Sequence, residues 1–62
     1  HIANSLNNLG NASLKLGEYS RSIEYFQQSL NMYKQIYGDD TPHPHIANSL
    51  NNLGNASLKL GE

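Results

Sequence analysis

Positions at alternating intervals of four and three mark the start of the chain: Ile2, Leu6, Leu9, Ser13 and Leu16, with Ala3, Gly10 and Ala12 beside them. On an α-helix such positions share one stripe. Asn4, Asn7, Asn8 and Asn11 occupy other faces, and Gly17 stands where a left-handed residue commonly ends a helix. The spacing therefore predicts a helix over about 2–16. A second stripe runs through Tyr19, Ile23, Phe26, Leu30, Tyr33 and Tyr37, widened by Met32 and Ile36, and predicts a helix over about 19–37. Gly38 and Asp39-Asp40 follow it. Thr41-Pro42-His43-Pro44 cannot extend it, because each proline lacks a donor and restricts the residue before it. Pro44 suits a first helical turn, and a third helix is predicted over about 45–60.

The third helix copies the first. Residues 1–18, HIANSLNNLGNASLKLGE, recur letter for letter as residues 45–62, so the period is 44 residues. Periods of 20 to 50 residues belong to stacked arrays, in which each unit leaves an apolar face for a neighbour to cover. The link between the first two helices is two or three residues long, which forces an antiparallel hairpin. The longer link, 38–44, returns the chain to its starting direction. The expected fold is all-α: a helical hairpin over 1–44 and the first helix of a next unit over 45–62, an A-B-A′ piece of an α-solenoid. Helix spacing by itself also permits a plain three-helix bundle. Eighteen identical residues point to recent duplication or to deliberate design.

Composition removes several function classes. Four cations (Lys15, Arg21, Lys34, Lys59) face five anions (Glu18, Glu24, Asp39, Asp40, Glu62), which is no electrostatic footprint for a nucleic acid or an anionic membrane. No apolar run approaches the ~20 residues of a membrane span. The absence of cysteine excludes disulfides and thiolate metal sites. A chain of 6.9 kDa also buries only about 60% of its extended surface on folding, so its stability margin is thin.

The run Asn8-Leu9-Gly10-Asn11-Ala12, followed by Lys15-Leu16-Gly17-Glu18-Tyr19 and by Ile23-Glu24-Tyr25-Phe26-Gln27-Gln28-Ser29-Leu30, resembles the tetratricopeptide repeat. Leu9-Gly10 is kept, and Ser22, Phe26 and Ser29 fill the small-aromatic-small pattern of that family's second helix. Leu6 stands in place of its usual Trp and Ser13 in place of its Tyr. Helix B continues through Met32 to Tyr37, and Gly38-Asp39-Asp40 precedes His43-Pro44, which looks like the longer variant found in kinesin light chains. In position, Gly10 and Gly54 lack a side chain where helices would approach closely, Ser22 and Ser29 let helix B meet helix A, and Phe26 fills the space. A buried helical serine can bond the carbonyl one turn earlier.

The resemblance implies a non-catalytic protein-interaction scaffold, with first helices lining a concave groove for a protein or peptide. It places Asn4, Asn7, Asn8, Asn11 and Lys15, with Asn48, Asn51, Asn52, Asn55 and Lys59, on or near that groove. Stacked amides offer both donors and acceptors to an extended backbone. A carboxylate clamp would need more groove cations than Lys15 and Lys59. The other reading is self-association through open ends, involving Ile2 and Leu6 at one end and Leu50, Leu53 and Leu60, with Ser57, at the other.

The remaining candidates have simpler explanations. His43 and His45 flank Pro44 without the acid or cysteine that would complete a metal set, and they read as a loop leading into a helix. Asp39-Asp40-Thr41 lacks the alternating acids of a calcium loop and reads as turn chemistry. Asn11-Ala12-Ser13 and Asn55-Ala56-Ser57 match the glycosylation pattern but fall inside predicted helices. Tyr19, Tyr25, Tyr33 and Tyr37 read as packing residues. No nucleophile setting or phosphate loop is present, and no cofactor or catalytic residue is implied.

Overall fold

The structure is a computed structural model that describes residues 2–38 and 43–61. His1, the Asp39-Asp40-Thr41-Pro42 stretch and Glu62 lie outside the described residues. Three helices are present among the rest: α1 spans Ile2–Lys15, α2 spans Tyr19–Tyr37 and α3 spans Pro44–Gly61. No strand occurs among the described residues. The second helix lies between the other two and packs on both, while α1 and α3 meet only at one edge. Each helix carries a lysine in its last turn (Lys15, Lys34 and Lys59), the sign its C-terminal dipole favours.

The first turn is made by Gly17. Its φ of +82° lies in the left-handed region that a glycine enters without penalty. The Gly17 N–H donates to the Leu14 carbonyl at 3.1 Å and the Glu18 N–H to the Ser13 carbonyl at 2.9 Å, which satisfies two carbonyls that the helix end would leave bare. The chain reverses there and α2 folds back on α1. At the identical Leu60-Gly61, expected to end the third helix, the backbone stays helical through Gly61. A glycine permits either path.

At the start of α3, Pro44 occupies the first helical position, one residue earlier than the spacing suggested. His43 caps it. Its carbonyl accepts the Ala47 N–H at 3.1 Å, and its imidazole Nδ1 accepts the His45 N–H at 3.2 Å. The histidine thus supplies the acceptor that a Ser or Asp usually provides at this position.

The core is small and centred on Phe26, which is fully buried. Around it lie Ser22, Ser29, Leu30 and Tyr33 of α2, Ala3, Gly10 and Ser13 of α1, and Ser49 and Ala56 of α3. Gly10 shows why the contact can be so close. A Cβ there would fall 2.6 Å from Cε1 and 2.7 Å from Cδ1 of the Phe26 ring, nearer than real atoms approach. Ser29 Oγ donates to the Ala3 carbonyl at 2.9 Å, bridging α2 to α1. The local bond to the preceding turn is not what this serine makes.

The apolar stripe expected for the first helix is corrected here. Ile2, Leu9 and Leu16 are exposed, and the buried positions of α1 are the small residues Ala3, Gly10 and Ser13 with half-buried Leu6 on the same face. The third helix, identical in sequence, buries Ser49 and Ala56, with Ile46 and Leu53 half-buried. In α1 their counterparts Ser5, Ala12, Ile2 and Leu9 are exposed, and in α3 the counterparts of the α1 set, Ala47, Leu50, Gly54 and Ser57, are exposed instead. The helix has two adjacent packing faces. Each copy uses one, because α2 lies on a different side of each, and the stripe read from spacing straddled both.

Candidate binding surface

At about 100° of helical turn per residue, Asn4, Asn7, Asn8, Asn11 and Lys15 fall within one arc of about 100° that does not include Gly10 or Ser13. The same holds for Asn48, Asn51, Asn52, Asn55 and Lys59 on α3. The two arcs meet: Asn52 Nδ2 donates to Asn7 Oδ1 at 3.2 Å, a contact across the α1–α3 edge between residues 45 apart in sequence. This single bond sets the amide-bearing sides of the two copies next to each other. Asn8, Lys15, Asn48, Asn51, Asn55 and Lys59 are exposed, whereas Asn7, Asn11 and Asn52 are half-buried.

Asn4 is exposed and engaged. Its Oδ1 accepts the Tyr33 hydroxyl at 2.8 Å, so a residue of the polar arc is tied to the C-terminal half of α2. Tyr33 is itself buried, and burial, with the neighbouring Tyr37 adding to it, pushes its hydroxyl above the ordinary tyrosine value. The proton is held where the Asn4 bond needs it.

Spacing did not reveal a ring cluster at the α2–α3 junction. Tyr37 stacks on His43 with ring centroids 3.7 Å apart and planes within 10°, and Tyr33 stacks on His45 at 5.1 Å and 11°. The two imidazoles lie 5.1 Å apart. With Asn4 and Ile36, the rings of Tyr33, Tyr37 and His45 border a cleft of about 90 Å³. The sequence signal was the Tyr-x3-Tyr spacing of one helix face followed by His-x-His beyond a turn. It supported packing for Tyr33 and Tyr37, but the rings' partners depend on how α3 returns.

Of the proposed end residues, Ile2, Leu50 and Leu60 are exposed at 66%, 51% and 53%, and Leu6 and Leu53 are half-buried. Leu53 was expected to be uncovered; it shares the half-buried face of α3 with Ile46. Gly54, expected at a close helix approach, has nothing within 4 Å of the Cβ it lacks. Among the described residues no group of three or more His, Asp or Glu could hold a metal ion. On the surface Arg21 pairs with Glu18 at 2.9 Å, an exposed contact that contributes little. No described helix is long and apolar enough to cross a membrane.

The sequence model of the tetratricopeptide repeat matches residues 2–44, which is one full hairpin and the link after it. No curated protein and no solved structure matches the chain significantly.

Proposed function

Since the chain belongs to the tetratricopeptide repeat family, whose members serve protein–protein interaction, we propose that its amide-bearing side is the surface that receives a partner. The partner is a peptide in extended form, held along Asn8, Asn11 and Lys15 of α1 and Asn48, Asn51, Asn55 and Lys59 of α3. The observation that supports this most is the Asn52–Asn7 bond, because it aligns the polar arcs of successive copies into one strip rather than two isolated helix faces. Amides present a donor and an acceptor each, so the strip matches a peptide backbone without demanding one side chain. Shape and backbone hydrogen bonding supply the affinity; no bond is made or broken.

A peptide array probed with four head-to-tail copies of the 44-residue unit tests the reading. Capture of extended peptides, lost when Asn4, Asn7, Asn8 and Asn11 in every unit become Ala, is the expected result. Capture that survives those changes would refute it.

A second reading rests on the exposed apolar residues Ile2, Leu9, Leu50 and Leu60. The outer faces of α1 and α3 expose different apolar residues, which suits head-to-tail association that does not close. Sedimentation over a concentration series decides it: growth of mass with concentration supports association, and a monomer throughout rejects it.

A further inference from the structure

Asn4 belongs to two features at once. It lies on the amide-bearing arc of α1, one turn before Asn7 and Asn8, and it lines the cleft of about 90 Å³ whose other walls are Tyr33, Ile36, Tyr37 and His45. Those walls are mostly ring faces and aliphatic carbon. The planes of Tyr33, Tyr37 and His45 meet at 11°, 17° and 24°, so the rings present nearly parallel surfaces. A cavity of about 150 Å³ holds benzene, and by proportion this space matches an aliphatic group of about three or four carbons. The hydrogen-bonding character of the strip changes at the same place. The exposed amides Asn8, Asn48 and Asn51 each have a donor and an acceptor to offer. Asn4 Oδ1 instead accepts the Tyr33 hydroxyl at 2.8 Å, which commits the acceptor of this amide and leaves its Nδ2 donors as what it can give a ligand.

We infer that the cleft selects proline: an extended peptide on the amide strip seats a proline ring between Tyr33, Tyr37 and His45 and places that residue's carbonyl on Asn4 Nδ2. This rests on the peptide-binding reading and adds to it the register in which the peptide lies. Proline meets both conditions in one residue. Its ring carries three methylene groups, the size the cleft takes, and packs carbon against the ring faces. It brings a carbonyl but no N–H, so no donor is left bare beside an amide whose acceptor is spent. A valine also fits the volume, but its N–H would turn toward ring walls, and a buried donor without a partner is costly. Proline further holds the extended conformation before binding, so the peptide loses less freedom on the strip.

Three ten-residue peptides of alanine, serine and glutamine, identical except for proline, valine or alanine at the fifth position, are the probes. Each is titrated to millimolar concentration into the intact, isotope-labelled chain and followed by NMR. All three should bind along the strip, the proline peptide at least about fivefold tighter than the other two and alone in shifting the ring signals of Tyr33, Tyr37 and His45. Tyr33→Phe keeps the size of the cleft and returns the Asn4 acceptor, so the valine peptide should come within about twofold of the proline peptide. Ile36→Trp, at a position 59% exposed, fills the cleft and should make the three peptides alike while the helicity stays that of the parent. Equal affinities in the parent with unmoved ring signals, while the side-chain amides of Asn8 and Asn51 still shift, would overturn the proline inference and leave the strip standing. No saturable shift by any peptide would overturn both. A proline preference that Ile36→Trp leaves unchanged would put the proline elsewhere and overturn the inference as well.

Discussion

Gly10 and Phe26 interlock so closely that the glycine's missing methyl is the space the ring occupies, with 2.6 Å between the would-be Cβ and Cε1. The twin of Gly10, Gly54, faces nothing. One substitution therefore has opposite effects at the two positions. Gly10→Ala is expected to destabilise by about 1–3 kcal/mol, because Phe26 is fully buried and has no free direction in which to retreat. Gly54→Ala is expected to stabilise by up to about 1 kcal/mol, the ordinary gain of replacing a helical glycine. Paired thermal melts followed at the helical band check the two signs. Phe26→Ala, which empties the core, should cost about 3–5 kcal/mol and leave a chain of this size unfolded.

Of the four serines buried among the described residues, three divide by what their hydroxyls do. Ser29 bridges to the Ala3 carbonyl, whereas Ser22 Oγ and Ser49 Oγ are buried without a partner. An unsatisfied buried hydroxyl costs about 1–3 kcal/mol, and alanine is also the better helix former. Ser22→Ala and Ser49→Ala should thus raise stability by about 1 kcal/mol each, and Ser29→Ala should lower it by a similar amount. Denaturant titration of the three variants tests this. A loss of stability in Ser22→Ala would mean its hydroxyl is bonded.

Alkaline solution should act through Tyr33. Burial raises its folded-state value above that of an exposed tyrosine, so the folded chain holds this proton more tightly than the unfolded chain does. The associated stability is fully present below the unfolded value of about 10 and is lost as pH rises through the folded value. Stability measured by chemical denaturation at stepped pH, beside tyrosinate absorbance, should fall in that window. Tyr33→Phe gives up the Asn4 bond at neutral pH and should show a smaller alkaline loss.

His43 serves α3 twice, as the cap on the His45 N–H and as the ring stacked on Tyr37. His43→Ala should cost about 0.5–2 kcal/mol for the cap, with fraying at Pro44–Ala47. His43→Ser restores the acceptor without the ring, so the difference between the two variants isolates the cap. Amide hydrogen exchange at His45 and Ala47 is the direct measurement.

Much of this architecture was legible in the residues. Gly17, Gly38 and Pro44 act through their own backbone chemistry, so the limits of α2 and the turn after α1 agree with the spacing. Phe26 could be placed at the centre because it is the large residue between Ser22 and Ser29. The amide strip was legible as a polar arc, but the Asn52–Asn7 bond was not, since those residues belong to different copies of the same stretch. The ring cluster was equally hidden, because Tyr37 and His43 meet only after the chain returns along α2.

Sequence alone determined the period, the number of helices and where they break, for these follow from local preferences that neighbouring residues carry with them. It could not determine which side of the repeated helix is inside. Identical letters have identical propensities, yet Gly10 is buried against a ring and Gly54 is open to solvent. Burial belongs to a residue and its neighbours in space together, and only the position of α2 between the two copies made one face of each the core.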